Sequence, residues 1–168
     1  MKFHDRLKKM NACTEAVEWV GDRSLARAWA ECERADWMVW LAARGVNQGS
    51  PLHIAIVRAA VACVRPALKD VPKGEKRLAE ALRVALRWCD DKATLDEVRV
   101  ATDAAWAASY EASGSAYLAA ASVANAVNAV SDAVYAADIV VSDYINKRSL
   151  HIIRRHIEVR YDRLKAVR

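Results

Sequence analysis

The chain reads as an all-α protein, a compact multi-helix bundle with closely packed alanine-rich helices. Three observations carry that reading. Between Ala104 and Ala137, 15 of 34 residues are alanine, the residue that loses least on entering a helix and whose small side chain lets helix backbones approach. Apolar residues elsewhere recur at helical spacing, as in Trp37, Met38, Trp40 and Leu41. Alternation of β-branched residues is too rare, and the loops are too short, for a sheet of any size.

At 168 residues a single domain over 1–168 is predicted, tryptophan-rich over 1–70 and amphipathic, alanine-rich and finally basic over 74–168. The first helix is expected after Asn11, with Ala12, Val17, Trp19 and Val20 as its apolar surface and Gly21 as its end. His4 is placed in a loose terminus. Ser24 caps a second helix carrying Leu25, Ala28, Trp29 and Cys32, and the Trp37–Leu41 helix closes at Gly45. Ser50-Pro51 is a start signal, because proline at the first helical position gives up no intrahelical bond. The apolar run Leu52 to Val64 suits a central helix, which Pro66 must bend or stop.

Val71-Pro72-Lys73-Gly74 reads as a linker. An amphipathic helix then passes through Leu78, Leu82, Ala85, Leu86 and Cys89, with Lys76, Glu80, Arg83 and Arg87 on its solvated face. Thr94-Leu-Asp-Glu97 is a capping box. From Glu97 to about Ile145 only Gly114 argues for a break, so interruptions are predicted near Ser113–Ser115 and near Asp138 to Asp143. Val123, Val127, Val130, Val134, Ala137 and Val141 form one stripe at three- and four-residue steps, with Asn125, Asn128, Asp132 and Tyr135 opposite. Leu150, Ile153, Ile157, Tyr161 and Leu164 predict a last amphipathic helix with a basic outer face.

Charge is segregated. The formal net charge is +5, yet 101–146 carry five acidic and no basic side chains, while 147–168 carry eight basic and two acidic. Such polarity serves docking of the tail against the body as well as any external partner. No secretory signal is read in the first residues, and the alanine-rich stretch is too polar for a lipid-facing span. A cytoplasmic protein with no membrane partner is the expectation. Cys13, Cys32, Cys63 and Cys89 lie 19, 31 and 26 residues apart, unlike a zinc knuckle or redox pair, and are expected as buried thiols.

Candidate chemistry is sparse. Asp90-Asp91 reads as a solvated turn before the Thr94 cap, because adjacent helical residues do not share a face. Asp132, Asp138 and Asp143 are too far apart to share a metal, and His4, His53, His151 and His156 do not cluster. No phosphate loop, HExxH or nucleophile elbow is found. The expectation is no enzyme, no metal and no cofactor. Lys147, Arg148, Arg154, Arg155, Arg160, Arg163, Lys165 and Arg168 match a phosphate-tracking surface, against a plainer reading as favourable charge near a helix C-terminus. Only Tyr144 and Tyr161 lie among them as stacking surfaces. Trp37 and Trp40, with Arg34 and Asp36 beside them, are read chiefly as packing, and at least one as largely buried. An interface is the alternative, since tryptophan and arginine dominate binding energy. Candidate interface residues are therefore Asp36, Trp37, Trp40, Tyr135, Tyr144, Arg148, Arg154 and Arg155.

The segment Asn11-Ala-Cys-Thr-Glu-Ala-Val-Glu-Trp-Val-Gly21, continuing to Ala28-Trp29 and Arg34-Ala-Asp-Trp-Met-Val-Trp-Leu41, resembles a phage and bacterial family labelled as immunity proteins. Its members share an ACxEAxxW opening and an AWxxCxRxDWMxWL motif. Later matches are Trp88-Cys-Asp-Asp-Lys-Ala-Thr-Leu-Asp-Glu-Val98, the alanine-rich stretch, and Ser149 to Ile157, similar to a DIVRKHI-like ending. Here the alanine-rich part keeps Tyr110, Tyr117, Tyr135 and Tyr144 but carries fewer tyrosines than the family. The resemblance implies a protein that binds and neutralises a toxin. Its phage members suggest an anti-defence variant that binds a host defence component. The expected function is a non-enzymatic inhibitor or adaptor with a protein partner. Nucleic-acid binding through the basic tail is the alternative, and self-association is a further expectation.

Overall fold

The computed structural model describes residues 1–44, 46–140 and 143–157, and the side chains of Val134 and of residues 138–148 lie outside that description. Among the described residues the chain is all-α: nine α-helices, two 3-10 segments and no strand. Helix α1 covers Phe3–Lys9, ahead of the first helix expected. His4 is therefore helical, its Nε2 lying 3.0 Å from the Asp5 carboxylate. Asn11 ends this helix as well as preceding the next. It sits at φ 56°, its N–H donates to Lys8 O at 3.0 Å and the Ala12 N–H donates to Leu7 O at 3.0 Å, the double bond of a Schellman ending. Asparagine suits both a helix start and a left-handed stop.

The following helices keep to their predicted signals. Helix α2 is Thr14–Val20, ended by Gly21 at φ 48°, and α3 is Leu25–Glu31, where Ser24 Oγ accepts from the Arg27 N–H at 3.3 Å. Helix α4 is Ala35–Ala43, while Gly45, its expected stop, lies outside the described residues. Helix α5 is Pro51–Val64, with Ser50 Oγ accepting from the His53 N–H at 3.2 Å. Pro66 removes a donor, and the helix tightens into a 3-10 segment over Arg65–Asp70. Helix α6 is Arg77–Cys89, closed by a second Schellman ending with Asp91 at φ 57°. Helix α7 is Leu95–Glu111 and begins with the capping box: the Glu97 N–H donates to Thr94 Oγ1 at 3.2 Å, and the Thr94 N–H to Glu97 Oε2 at 2.7 Å. Helix α8 is Gly114–Asn128.

The valine stripe does not continue as one helix. Helix α8 stops at Asn128, a turn follows, a 3-10 segment covers Ala133–Val140, and α9 is Asp143–His156. The reason is tertiary. An α-helix continuing past Asn128 needs the Ala129 and Val130 carbonyls for its next turn. Instead Ala129 O accepts from His53 Nε2 at 2.7 Å, and Val130 O accepts from Gln48 Nε2 at 3.3 Å. Val123, Val127 and Val130 are buried as expected, Ala137 is half-buried, and Val134 and Val141 lie outside the described side chains.

The larger core gathers Met38 and Val39 of α4, Ile56, Val57, Val61 and Val64 of α5, Leu78 and Leu82 of α6, Val98, Val123 and Val127. Ile153 of α9 and Ile157 just beyond its end close it. Alanines at the crossings, among them Ala81, Ala85, Ala105, Ala124 and Ala126, are fully buried, so the small side chains do bring α6, α7 and α8 together. The segment Pro51–Asp70 is long and apolar enough to span a membrane by length and composition alone. Here it is the central helix, packed on α6, α8 and α9. A smaller core of Leu7, Val17, Val20, Ala28 and Leu41 lies beneath α1 to α4, and Trp19 and Trp29 touch both cores.

Candidate functional site

Over the smaller core lies an open groove of about 760 Å³. Its apolar floor is Leu7, Val20, Ala28, Met38 and Leu41, and its walls carry Trp19, Trp29, Trp37 and Trp40, every tryptophan of the first 44 residues. All four are half-buried. Trp37 and Trp40 are mostly covered, as expected of at least one of them, but less completely than Met38 and Val39 between them, each 2% exposed. Helical geometry explains the difference. Trp37 and Trp40 are three residues apart and share one side of α4, which faces the groove, while Met38 and Val39 turn onto the larger core.

Arginines hold these rings in place. The Arg23 guanidinium carbon lies 4.8 Å from the Trp19 centroid, Arg34 lies 4.6 Å from Trp37, and Arg44 lies 4.1 Å from Trp40. Trp19 and Trp37 meet at 6.0 Å with their planes tilted by 59°, a favourable aromatic arrangement. Two of the guanidiniums are themselves anchored. Arg34 grips Asp36 with two bonds of 2.9 and 2.6 Å, which raises the Arg34 pKa still further above its ordinary value. Arg23 bonds Glu31 at 2.9 Å and the Trp19 carbonyl. Hydrogen bonds from Arg27 and then Arg23 hold the Glu31 carboxyl below its usual range.

The two cysteines on the groove differ. Cys32 is buried, its thiol pushed up by desolvation, and its Sγ lies 3.4 Å from the Arg34 carbonyl oxygen. Cys13 is exposed, against the expectation of four buried thiols, because it occupies the N-cap position of the short α2 at the groove's edge. Cys63 and Cys89 are buried in the larger core, and desolvation pushes the Cys89 thiol up to about 11.

The candidate interface residues separate accordingly. Asp36, Trp37 and Trp40 come together on the groove. Tyr135 is 40% exposed and is not among the lining residues, although its 3-10 segment contributes Ala137. Arg154 is exposed on α9, as expected, and is also tied to the body of the protein. Its Nη2 donates to Cys32 O at 2.7 Å and Ala30 O at 2.9 Å, with Trp29 O at 3.5 Å, so it caps the C-terminus of α3. Arg155 is exposed on α9. The side chains of Tyr144, Lys147 and Arg148, and all of Arg160, Tyr161, Arg163, Leu164, Lys165 and Arg168, lie outside the described part, as do the side chains of Asp138 and Asp143.

Sequence reasoning missed Trp19, Trp29, Cys13 and Glu15 as groove residues. The available signal was the concentration of tryptophans in one short stretch. It could not show that three separate helices would turn them to one cleft. Among the described residues no three His, Cys, Asp or Glu side chains converge as a metal site. Asp90 forms a 2.5 Å ion pair with Arg58, consistent with a structural turn. No family model matches the chain, and comparison with curated proteins and with solved structures returned no match.

Proposed function

We propose that the protein is a non-enzymatic binding module, an inhibitor or adaptor of a protein partner, with the tryptophan-lined groove as its working surface. The groove itself carries this reading. Half-buried tryptophans over an apolar floor offer the side chains that contribute most to protein binding energy. Stacked arginines pre-orient three of the four rings, so less side-chain freedom remains to be lost on association. The resemblance to immunity proteins runs through the same stretch, Asn11 to Leu41. It favours a toxin as the partner, or a host defence component in an anti-defence variant. The nucleic-acid reading is weaker, because Arg154 is already engaged by the carbonyls of α3.

Copurification from the native host tests this reading with the wild type and with Cys13→Arg, which places a bulky charge at the exposed groove edge. A protein retained by the wild type and lost by a variant of unchanged melting temperature is the expected result. A wild type that retains no protein at any salt concentration, or a variant that retains the same one, overturns it.

A further inference from the structure

Helices α1 to α3 are tied to one another more than to the rest of the molecule. Among the described residues, every ion pair formed by residues 1–32 stays within that stretch: Lys2 with Asp22, His4 with Asp5, and Arg23 and Arg27 with Glu31. The backbone hydrogen bonds of their turns and caps stay there too. Helix α1 packs on α2, and no comparable backbone packing joins the three helices to α4 or beyond among the described residues. What crosses to the body is of another kind. The chain itself passes through Cys32–Arg34, extended backbone with Cys32 at ψ 124° and Arg34 at ψ 98°. Apolar side chains meet: Leu7, Val17, Val20 and Ala28 share a core with Leu41, and Trp19 stands 6.0 Å from Trp37. Glu15 and Arg34 attract each other at longer range. Beyond α4, the one described side chain that hydrogen-bonds this layer is Arg154, on the carbonyls of Trp29, Ala30 and Cys32. The groove is this seam. Leu7, Val20 and Ala28 of its floor and Trp19 and Trp29 of its walls come from α1 to α3, while Met38, Leu41, Trp37 and Trp40 come from α4.

We infer that α1 to α3 form a hinged lid over the groove, turning as one unit about Cys32–Arg34, and that Arg154 is its latch. The inference rests on the groove as the working surface and adds how access to it is controlled. Three helices of seven residues each do not hold alone. Their mutual ion pairs and the side chains of the smaller core, which belong mostly to them, make them move together. An apolar side-chain seam reopens without breaking a backbone hydrogen bond, and the apolar residues of a partner cover it again. A few extended link residues are sufficient to absorb such a rotation.

Hydrogen exchange of the full chain, followed helix by helix, tests the lid. In the wild type, α1, α2 and α3 are expected to exchange through one common opening, more often than α4 to α8 open. Arg154→Ala should speed that opening about tenfold in all three helices, the loss of hydrogen bonds from a charged donor, and leave α4 to α8 unchanged. Thr94→Ala, which loosens the start of α7, should leave the three helices as they are in the wild type. Acceleration of α3 alone in Arg154→Ala overturns the lid. Equal acceleration of every helix, or acceleration of α1 to α3 by Thr94→Ala, overturns it as well.

Access is tested with an uncharged synthetic helical peptide of leucine and glutamine, its binding followed by tryptophan emission. Arg154→Ala is expected to bind it about tenfold more tightly than the wild type, because apparent affinity scales with the fraction of molecules that are open. Equal affinity of the two chains overturns the control of access and leaves the groove reading standing. A peptide that moves the emission of neither chain overturns the two readings together.

Discussion

His53 is the most constrained single residue. It is 1% exposed, in the first turn of the central helix. Its Nδ1 accepts from the Gly49 N–H at 2.9 Å, its Nε2 faces Ala129 O at 2.7 Å, and its ring meets the Trp88 edge at 5.2 Å. One neutral tautomer, with the proton on Nε2, serves both bonds. His53→Leu keeps the bulk but leaves a backbone N–H and a carbonyl unpaired at the end of α8. It is expected to lower stability by about 2–4 kcal/mol in denaturant titration. Met38 and Trp37 should behave in opposite ways. Met38→Ala empties a buried site and should cost about 3 kcal/mol. Trp37→Ala removes a half-buried ring and should cost about 1–2 kcal/mol, less than a fully buried tryptophan would, while affecting binding more. Binding unaffected by Trp37→Ala at unchanged partner concentration would remove that ring from the working surface.

At the scale of elements, the short helices depend on their ends. Helix α3 has seven residues, too few to hold by propensity alone, and Arg154 supplies donors to its last carbonyls from across the chain. Arg154→Ala should cost about 1–2 kcal/mol, and its hydrogen-exchange signature should be faster opening of α3 with α6 and α7 unchanged. A uniform rise in exchange over all helices would show that the contact is not local. Thr94→Ala removes the capping box of α7 and should cost about 1 kcal/mol. The thiols report on the elements too: one of four cysteines should label quickly in the native protein, and the other three only on unfolding.

For the whole molecule, stability should fall at both ends of the pH scale. Hydrogen bonds from Arg77 hold Glu75 and Glu111 below the usual carboxylate range, Arg83 does the same for Glu80, and the Thr94 amide and hydroxyl do so for Glu97. A depressed folded pKa stabilises above the unfolded value, about 4.3 for Glu, and that contribution disappears as pH falls through the folded value. These pairs are solvent-exposed, so each contributes little. Arg77→Met should nevertheless flatten the acid arm, since one guanidinium serves two carboxylates. The buried thiols act at the other end. Burial raises Cys32, Cys63 and Cys89, the last to about 11. Their contribution is complete below the unfolded thiol value of about 8.5 and is lost as pH rises through the folded one. Melting temperature should therefore decline above about pH 8.5, less steeply in Cys89→Ala when each variant is compared with its own neutral value. An alkaline arm unchanged by that substitution would assign the decline to other groups.

Local chemistry was legible wherever a signal is completed within a few residues. The all-α class, Ser24, Ser50-Pro51, the Pro66 stop, the Thr94–Glu97 box and the break at Gly114 depend on backbone donors and acceptors that neighbours along the chain satisfy or withhold. Asn11 escaped because the same side chain suits a helix start and a left-handed stop, and only the preceding helix decides between them. The end of α8 escaped for a different reason: the acceptors that would have continued it are taken by His53 and Gln48, 76 and 82 residues away. The groove belongs to this second kind. The sequence by itself determined that four of the six tryptophans fall in the first 44 residues. That Trp19, Trp29, Trp37 and Trp40 face one cleft, with Met38 turned inward and Glu15 left without an ion pair, was decided only by the packing of α1 to α4. Burial is a property of what lies across from a side chain, and no residue carries that information alone.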